Sequence, residues 1–423
     1  MFRVLDIGNI KFIFSPMRGF QTSSIGVFIN IGARYEDIRL KGISHFLEHM
    51  LFKGSKNYTY KEIKREIEGR GGMLNGFTSQ ETTGYYAQFI NKNWKITLDI
   101  LLDMVSNPLV MDSDIEKERN VILEEVKMHN DLPHIRVNTI LDSLLWEKHP
   151  LGEEIIGEPQ TIRRIKRENL INFKETYYIP SNMVIACVGD LDETDLIYSI
   201  KKKLNVNLPG RINLNSYPPS HLNKVSLGLE KKEIDQTHLC LGFRAPSYRS
   251  KERLTVELIN VILGANMSSR LFEEIREKRG LCYDISTEAR KYKDSGGFII
   301  HLGLDSKNII MALKGITKTL IKLSNEPVSV KELERAKDYF LGQVIMSIEK
   351  PQSRMFYMAD SYLALNKIYT IEEISNLVEA IDSQRIRYLA KKIFDLSRFC
   401  LSCITNSKKD IKNDIDKVLK MYN

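Results

Sequence analysis

Gly42-Ile43-Ser44-His45-Phe46-Leu47-Glu48-His49-Met50 lies in a run from Gly42 to Phe52 whose apolar residues recur at helical spacing. On a helix, His45 and His49 are four residues apart and project from one face about a turn from each other. One tetrahedral metal ion can bridge that separation. Glu48, three residues after His45 and next to His49, falls close enough to take a proton from a water at such a metal without being a ligand. Two histidines on a helix more often line a core, so a metal reading needs a third protein donor from another part of the chain.

The stretch Asp114 to His129 is also helical in pattern and carries Glu116, Glu118, Glu124 and Glu125. Glu118 and Glu125 are seven apart and share a face. One of them can ligate while the other holds a ligating histidine in place. On spacing alone, Glu124 competes with Glu125.

Working outward, Gly8-Asn9 separates two strand-like runs, and Ile25 to Ile31 reads as a mostly buried strand. Helical patterns cover Tyr60 to Gly69 and Ile96 to Val105, with a strand at Gly84 to Ile90 between them. Strands and helices in mixed order, some joined by hairpin-length turns, predict an α+β fold. A chain of 423 residues exceeds what one core usually serves. A turn-rich stretch at 205–223, with Pro209, Gly210, Pro218 and Pro219 among asparagines and serines, divides it nearly in half. The halves begin alike, QTSSIGVFINIGARYE from Gln21 and QTHLCLGFRAPSYRSKE from Gln236, so a duplicated domain is expected. The expected domains are 1–210 and 224–423, joined by a linker at 211–223.

Composition is that of a folded domain, with 43% hydrophobic and 27% charged residues. The net charge of +8 is scattered, with only short clusters at Lys201–Lys203 and Lys231-Lys232, which argues against nucleic acid as a partner. Cys187, Cys240, Cys282, Cys400 and Cys403 make an odd count at wide spacing, which suits a reducing compartment. The Cys400/Cys403 pair lies in RFCLSCIT, a strand-like run that places residues three apart on opposite faces, so both read as buried thiols. No apolar run approaches a membrane span, and the N-terminal MFRVLDIGNIKFIF reads as strand, turn and strand rather than a signal. A cytoplasmic location is expected.

GARYEDIRLKGISHFLEHMLFKGS, GGMLNGFTSQETTGYYAQF and ERNVILEEVKMHND resemble the successive signature blocks of the pitrilysin/insulinase metallopeptidases, nearest to the bacterial processing-peptidase-like type. H-x-x-E-H is the inverted zincin motif. The resemblance implies two homologous domains, each a mainly antiparallel sheet flanked by helices. It implies a zinc metalloendopeptidase with one Zn2+ per chain on His45, His49 and Glu125, Glu48 as general base and Glu118 as the acid supporting a ligating histidine. Phe52 would line the pocket for the side chain after the cleaved bond. Asn75, Gly76, Phe77 and Thr78 would form the edge strand on which a peptide is laid as an added strand, Gly76 standing where the family usually has alanine.

In the second half, ANMSSRLFEEIREKRGLCYDIS resembles the family block whose arginine and tyrosine, here Arg276 and Tyr283, hydrogen-bond the substrate backbone near the attacked carbonyl. Ala265-Asn266 replaces the usual glycine pair. The implied substrates are peptides or unfolded polypeptides, inside a chamber of four such domains from two chains. A homodimer is expected, with a heterodimer containing an inactive homologue as the other possibility. A non-catalytic structural or assembly subunit is the alternative of another class. Relatives that select arginine carry acids ten and fourteen residues past the zinc glutamate, where this chain has Ile135 and Thr139. Asp131 and Asp142 are the nearby acids that could substitute.

Overall fold

The computed structural model describes residues 2–210, 212, 214, 217–407 and 411–420. Of the expected linker, Arg211, Asn213, Asn215 and Ser216 lie outside the described residues. Contacts group the chain into two compact units. The first is Met1–Met128, Glu153–Ser216 and Met346–Ile368; the second is His129–Gly152, Tyr217–Ile345 and Tyr369–Asn423.

The first unit contains β1 (Arg3–Ile7), β2 (Ile10–Pro16), β3 (Thr22–Ile29), β4 (Met73–Thr78), β5 (Thr83–Ile90) and β6 (Met183–Gly189). They form one sheet in the order β1-β2-β6-β3-β5-β4, antiparallel except for the β2/β6 pair. The second contains β7 (Ser226–Lys231), β8 (Thr237–Ala245), β9 (Cys282–Lys291), β10 (Gly296–Leu304) and β11 (Cys400–Thr405), ordered β7-β11-β8-β10-β9 and antiparallel except for β7/β11. The path β2-β6-β3-β5-β4 is thus repeated, directions included, as β7-β11-β8-β10-β9. The two stretches that begin alike, from Gln21 and Gln236, supply the middle strands β3 and β8.

Both sheets are covered on both faces. In the first unit Ile25, Val27 and Ile29 of β3 join Phe46, Leu47, Met50 and Leu98 in a core under the unit's own helices. Phe28 faces the other way, onto Met355, Met358 and Ala359 of the helix Pro351–Leu365. In the second unit, the helix Pro133–Leu145 lays Val137, Leu141 and Leu145 on Cys240, Ile299, Cys400 and Ile404. Each sheet therefore receives one covering helix from a distant part of the sequence. Double-sided burial explains why β3 and β11 read as near-continuous apolar runs rather than alternating ones. Cys400 and Cys403 are free and buried, and burial pushes both thiols up to about 12, which keeps them protonated and inert at neutral pH.

Candidate metal centre and edge strand

The helix Ile43–Leu51 buries Ile43, Phe46, Leu47, Met50 and Leu51 almost completely. Each such side chain contributes roughly 1.5–3 kcal/mol, so this apolar face sets the helix rotation and, with it, the direction of the histidines. Its start is unusual. Gly42 sits at φ +93°, where a Cβ would lie 2.6 Å from the Ile156 carbonyl oxygen, and it has no side chain to cap the helix. The two carboxylate oxygens of Glu36 do so instead, accepting from the Gly42 and Ser44 amides at 2.8 Å each.

A charged acceptor at a helix N-terminus satisfies two orphan amides and complements the dipole. Glu36→Ala is therefore expected to destabilise the protein by about 2–4 kcal/mol, measured by urea or thermal unfolding. A loss near zero would show that the cap is dispensable.

The helix Asp112–Asp131 buries Ile115, Glu118, Ile122 and Val126 and brings Glu125 to the histidines. The Oε2 atom of Glu125 is 3.7 Å from Nε2 of His45 and 3.7 Å from Nε2 of His49. Together the three residues offer donor atoms within 4.8 Å of one another, the only such set of three or more among the described residues. Donors about 2.0–2.1 Å from one tetrahedral zinc are roughly 3.4 Å apart, so the set fits such an ion after a slight inward turn. Glu124 points away, exposed and paired with Lys127 at 2.6 Å.

Nδ1 of His49 meets Oε2 of Glu118 at 3.1 Å, and the other Glu118 oxygen meets Lys53 Nζ at 2.5 Å. With Nδ1–H donated to a carboxylate, the Nε2 lone pair is left for a metal. Burial works to raise the Glu118 pKa, but the hydrogen bonds from His49 and Lys53 outweigh it and hold the carboxyl below its usual range.

Glu48 lies beside this set, half-buried, with Thr78 Oγ1 donating to its Oε2 at 3.4 Å. From the protein's own groups, burial pushes its carboxyl up to about 7, opposed by the His49 charge and the Thr78 hydroxyl and assisted by Glu125. A dication nearby would draw it back down.

β4 ends its sheet, with its ladder on the β5 side only, which leaves the other edge for an added strand. Its residues divide by face. Gly76 and Thr78 face Glu48, whereas Phe77 turns to the opposite face and packs on Phe28, Phe356 and Tyr86. The Phe77 ring is thus core on the side away from Glu48, and what β4 offers there is backbone. Phe52 is half-buried at the helix end, its ring centre 6.3 Å from that of Tyr85. A Cβ built on Gly76 would lie 3.0 Å from the Phe52 ring and 2.7 Å from Glu48 Oε1. The missing methyl is therefore space used by both side chains.

Arg276 and Tyr283 belong to the second unit. Arg276 lies in a π-helical turn, Phe272–Glu277. Its guanidinium is 4.6 Å from the Phe272 ring centre and 6.0 Å from that of Tyr283. Tyr283 is the second residue of the edge strand β9 and is 74% exposed. π-turns recur at functional sites.

Residues 15–159 match the family profile described as insulinase (peptidase family M16), and residues 164–340 match the M16 profile described as inactive domain. A Bacillus subtilis relative named as the uncharacterized zinc protease YmxG is 33% identical over 88% of this chain and 90% of its own length. The chain belongs to the insulinase family, peptidase M16. A Rickettsia felis relative, also named as an uncharacterized zinc protease, is 33% identical over 88% of this chain and 89% of its own. The same fold appears in a protease from Helicobacter pylori (TM-score 0.89, 20% identity, 96% of this chain and 99% of that one). It also appears in a peptidase M16 inactive domain from Pseudomonas fluorescens (TM-score 0.88, 19% identity, 96% and 98%).

Two residues of this M16 site escape a reading by motif. Glu36 sits inside the block GARYED, yet nothing in its spacing says that it caps the histidine helix. Lys53 lies four residues after His49, in the turn just past the helix end, and only that short spacing hinted at it. Asp142 forms an ion pair with Arg290, and burial pushes its carboxyl up to about 6. Asp131 lies against Lys232. The Asp142 carboxylate is thus held by Arg290, whereas the Asp131 side chain is 82% exposed and 3.5 Å from Lys232. No described helix is long and apolar enough to cross a membrane.

Proposed function

We propose that this M16 chain is a zinc metalloendopeptidase acting on peptides or unfolded segments, with one Zn2+ held by His45, His49 and Glu125. The observation that carries this reading is the convergence of those three donors while the other His49 nitrogen is held by Glu118. Bound there, zinc would supply Lewis-acid polarisation of a carbonyl and a water made acidic at neutral pH. Glu48 would take the proton from the attacking water and return it to the leaving amine. Its position beside, rather than among, the donors suits that role.

The free edge of β4 would receive the substrate backbone as an added strand, with Asn75, Gly76, Phe77 and Thr78 contributing amides and carbonyls more than side chains. Phe52, next to Gly76, would line the pocket after the scissile bond. Arg276, half-buried, and Tyr283, exposed, in the second unit would hydrogen-bond the substrate near the attacked carbonyl. The functional division would follow the sequence halves 1–210 and 224–423, in a homodimer of the processing-peptidase-like type.

The purified chain should hydrolyse a denatured polypeptide, stop when stripped by a chelator and resume on stoichiometric zinc. A zinc-loaded chain that leaves a peptide library intact would favour the non-catalytic alternative.

A further inference from the structure

We infer that Lys53 is a positioning residue of the metal centre, holding the Glu118 carboxylate in the orientation that presents His49 to the metal. The inference rests on the zinc reading above and names the residue that keeps its supporting acid in place. His49, Glu118 and Lys53 form a chain of contacts: His49 Nδ1 to Glu118 Oε2 at 3.1 Å, then Glu118 Oε1 to Lys53 Nζ at 2.5 Å. The two carboxylate oxygens are divided, one to the imidazole and one to the ammonium.

Glu118's side chain is only 8% exposed. A carboxylate so placed needs a cation beside it, and when zinc is bound His49 serves as a neutral ligand. The bound ion supplies part of the compensating charge through the imidazole, and Lys53, in the turn that follows the helix, supplies the part in direct contact with the other oxygen. Most surface lysines hold their partners weakly because water screens the pair. Here the partner is buried and its other oxygen is committed, so the pair restrains one rotamer. A neutral residue at 53 would leave the buried carboxylate without its cation, free to swing toward solvent and drop the His49 hydrogen bond. His49 would then lose the restraint that aims Nε2 at Glu125 and His45.

The test is zinc affinity by chelator competition on the folded full chain, which does not depend on turnover. Lys53→Met, which keeps the length of the apolar stem, should weaken zinc binding by about 10–100-fold, the usual effect of losing a partner behind a metal ligand. Lys53→Gln should do the same and serves if the methionine variant is unstable. Lys53→Arg should restore affinity to within about threefold of the parent. In a Glu118→Gln background, Lys53→Met should change little, because the carboxylate through which it acts is gone.

Unchanged affinity in both neutral variants overturns the inference while leaving the zinc site standing. An equal loss in Lys53→Arg and Lys53→Met, or full additivity with Glu118→Gln, also overturns it. A parent chain that binds no zinc overturns the proposed function, and this inference with it.

Discussion

Glu48→Gln should leave zinc bound at the parental level and reduce peptide hydrolysis by about 10²–10⁴-fold, the range attributable to a positioned general base. The substitution keeps size and shape where these matter, because Glu48 lies against the Gly76 backbone and the Phe52 ring and receives the Thr78 hydroxyl. A glutamine amide oxygen can still accept that hydroxyl, though more weakly than a carboxylate, so the helix Ile43–Leu51 and its histidines should hold their places. What is lost is the ability to accept a proton. Zinc content by elemental analysis and initial rates on a denatured substrate are the two readouts. A zinc-loaded variant with parental rates would remove Glu48 from the chemistry, and a variant that loses its zinc would make it a ligand rather than a base.

Much of this centre was legible before any coordinates, because its geometry is local. Residues four apart on a helix must share a face, which made the His45/His49 pair readable, and residues seven apart made Glu118 and Glu125 readable as partners. The strand grammar was legible for the same reason, down to the hairpin at Gly8-Asn9. What stayed hidden depends on contacts between distant segments. Nothing in the periodicity of 351–365 says that this helix covers Phe28, nothing in Pro133–Leu145 says that it lies on Cys240 and Cys400, and Phe77 had no stated face until β4 paired with β5. Glu36 is a further case, since a glutamate six residues before the glycine it caps looks like any polar residue in a loop. The choice between Glu124 and Glu125 came from likeness to a family, not from spacing; Glu125 lies 3.7 Å from both histidine nitrogens, and Glu124 lies on Lys127.

Glu125→Ala and Glu124→Ala, neighbours on one helix, should therefore behave oppositely. Glu125 offers its Oε2 at 3.7 Å to both histidine Nε2 atoms, and removing it leaves two donors where a stable protein zinc site has three or four. Zinc affinity should fall by more than the roughly 10–100-fold cost of losing a supporting partner, and hydrolysis should fall with it under limiting metal. Glu124 is exposed and pairs with Lys127 across three residues of helix, a contact worth about 0.3–0.5 kcal/mol, so its removal should change stability slightly and zinc affinity not at all. Both alanines favour the helix, so any difference between the variants reports on the metal rather than on folding. Competition against a calibrated zinc chelator separates the two in one titration. Equal affinities would mean that the third ligand comes from elsewhere, and a loss confined to Glu124→Ala would mean that the helix Asp112–Asp131 presents its other face to the histidines in solution.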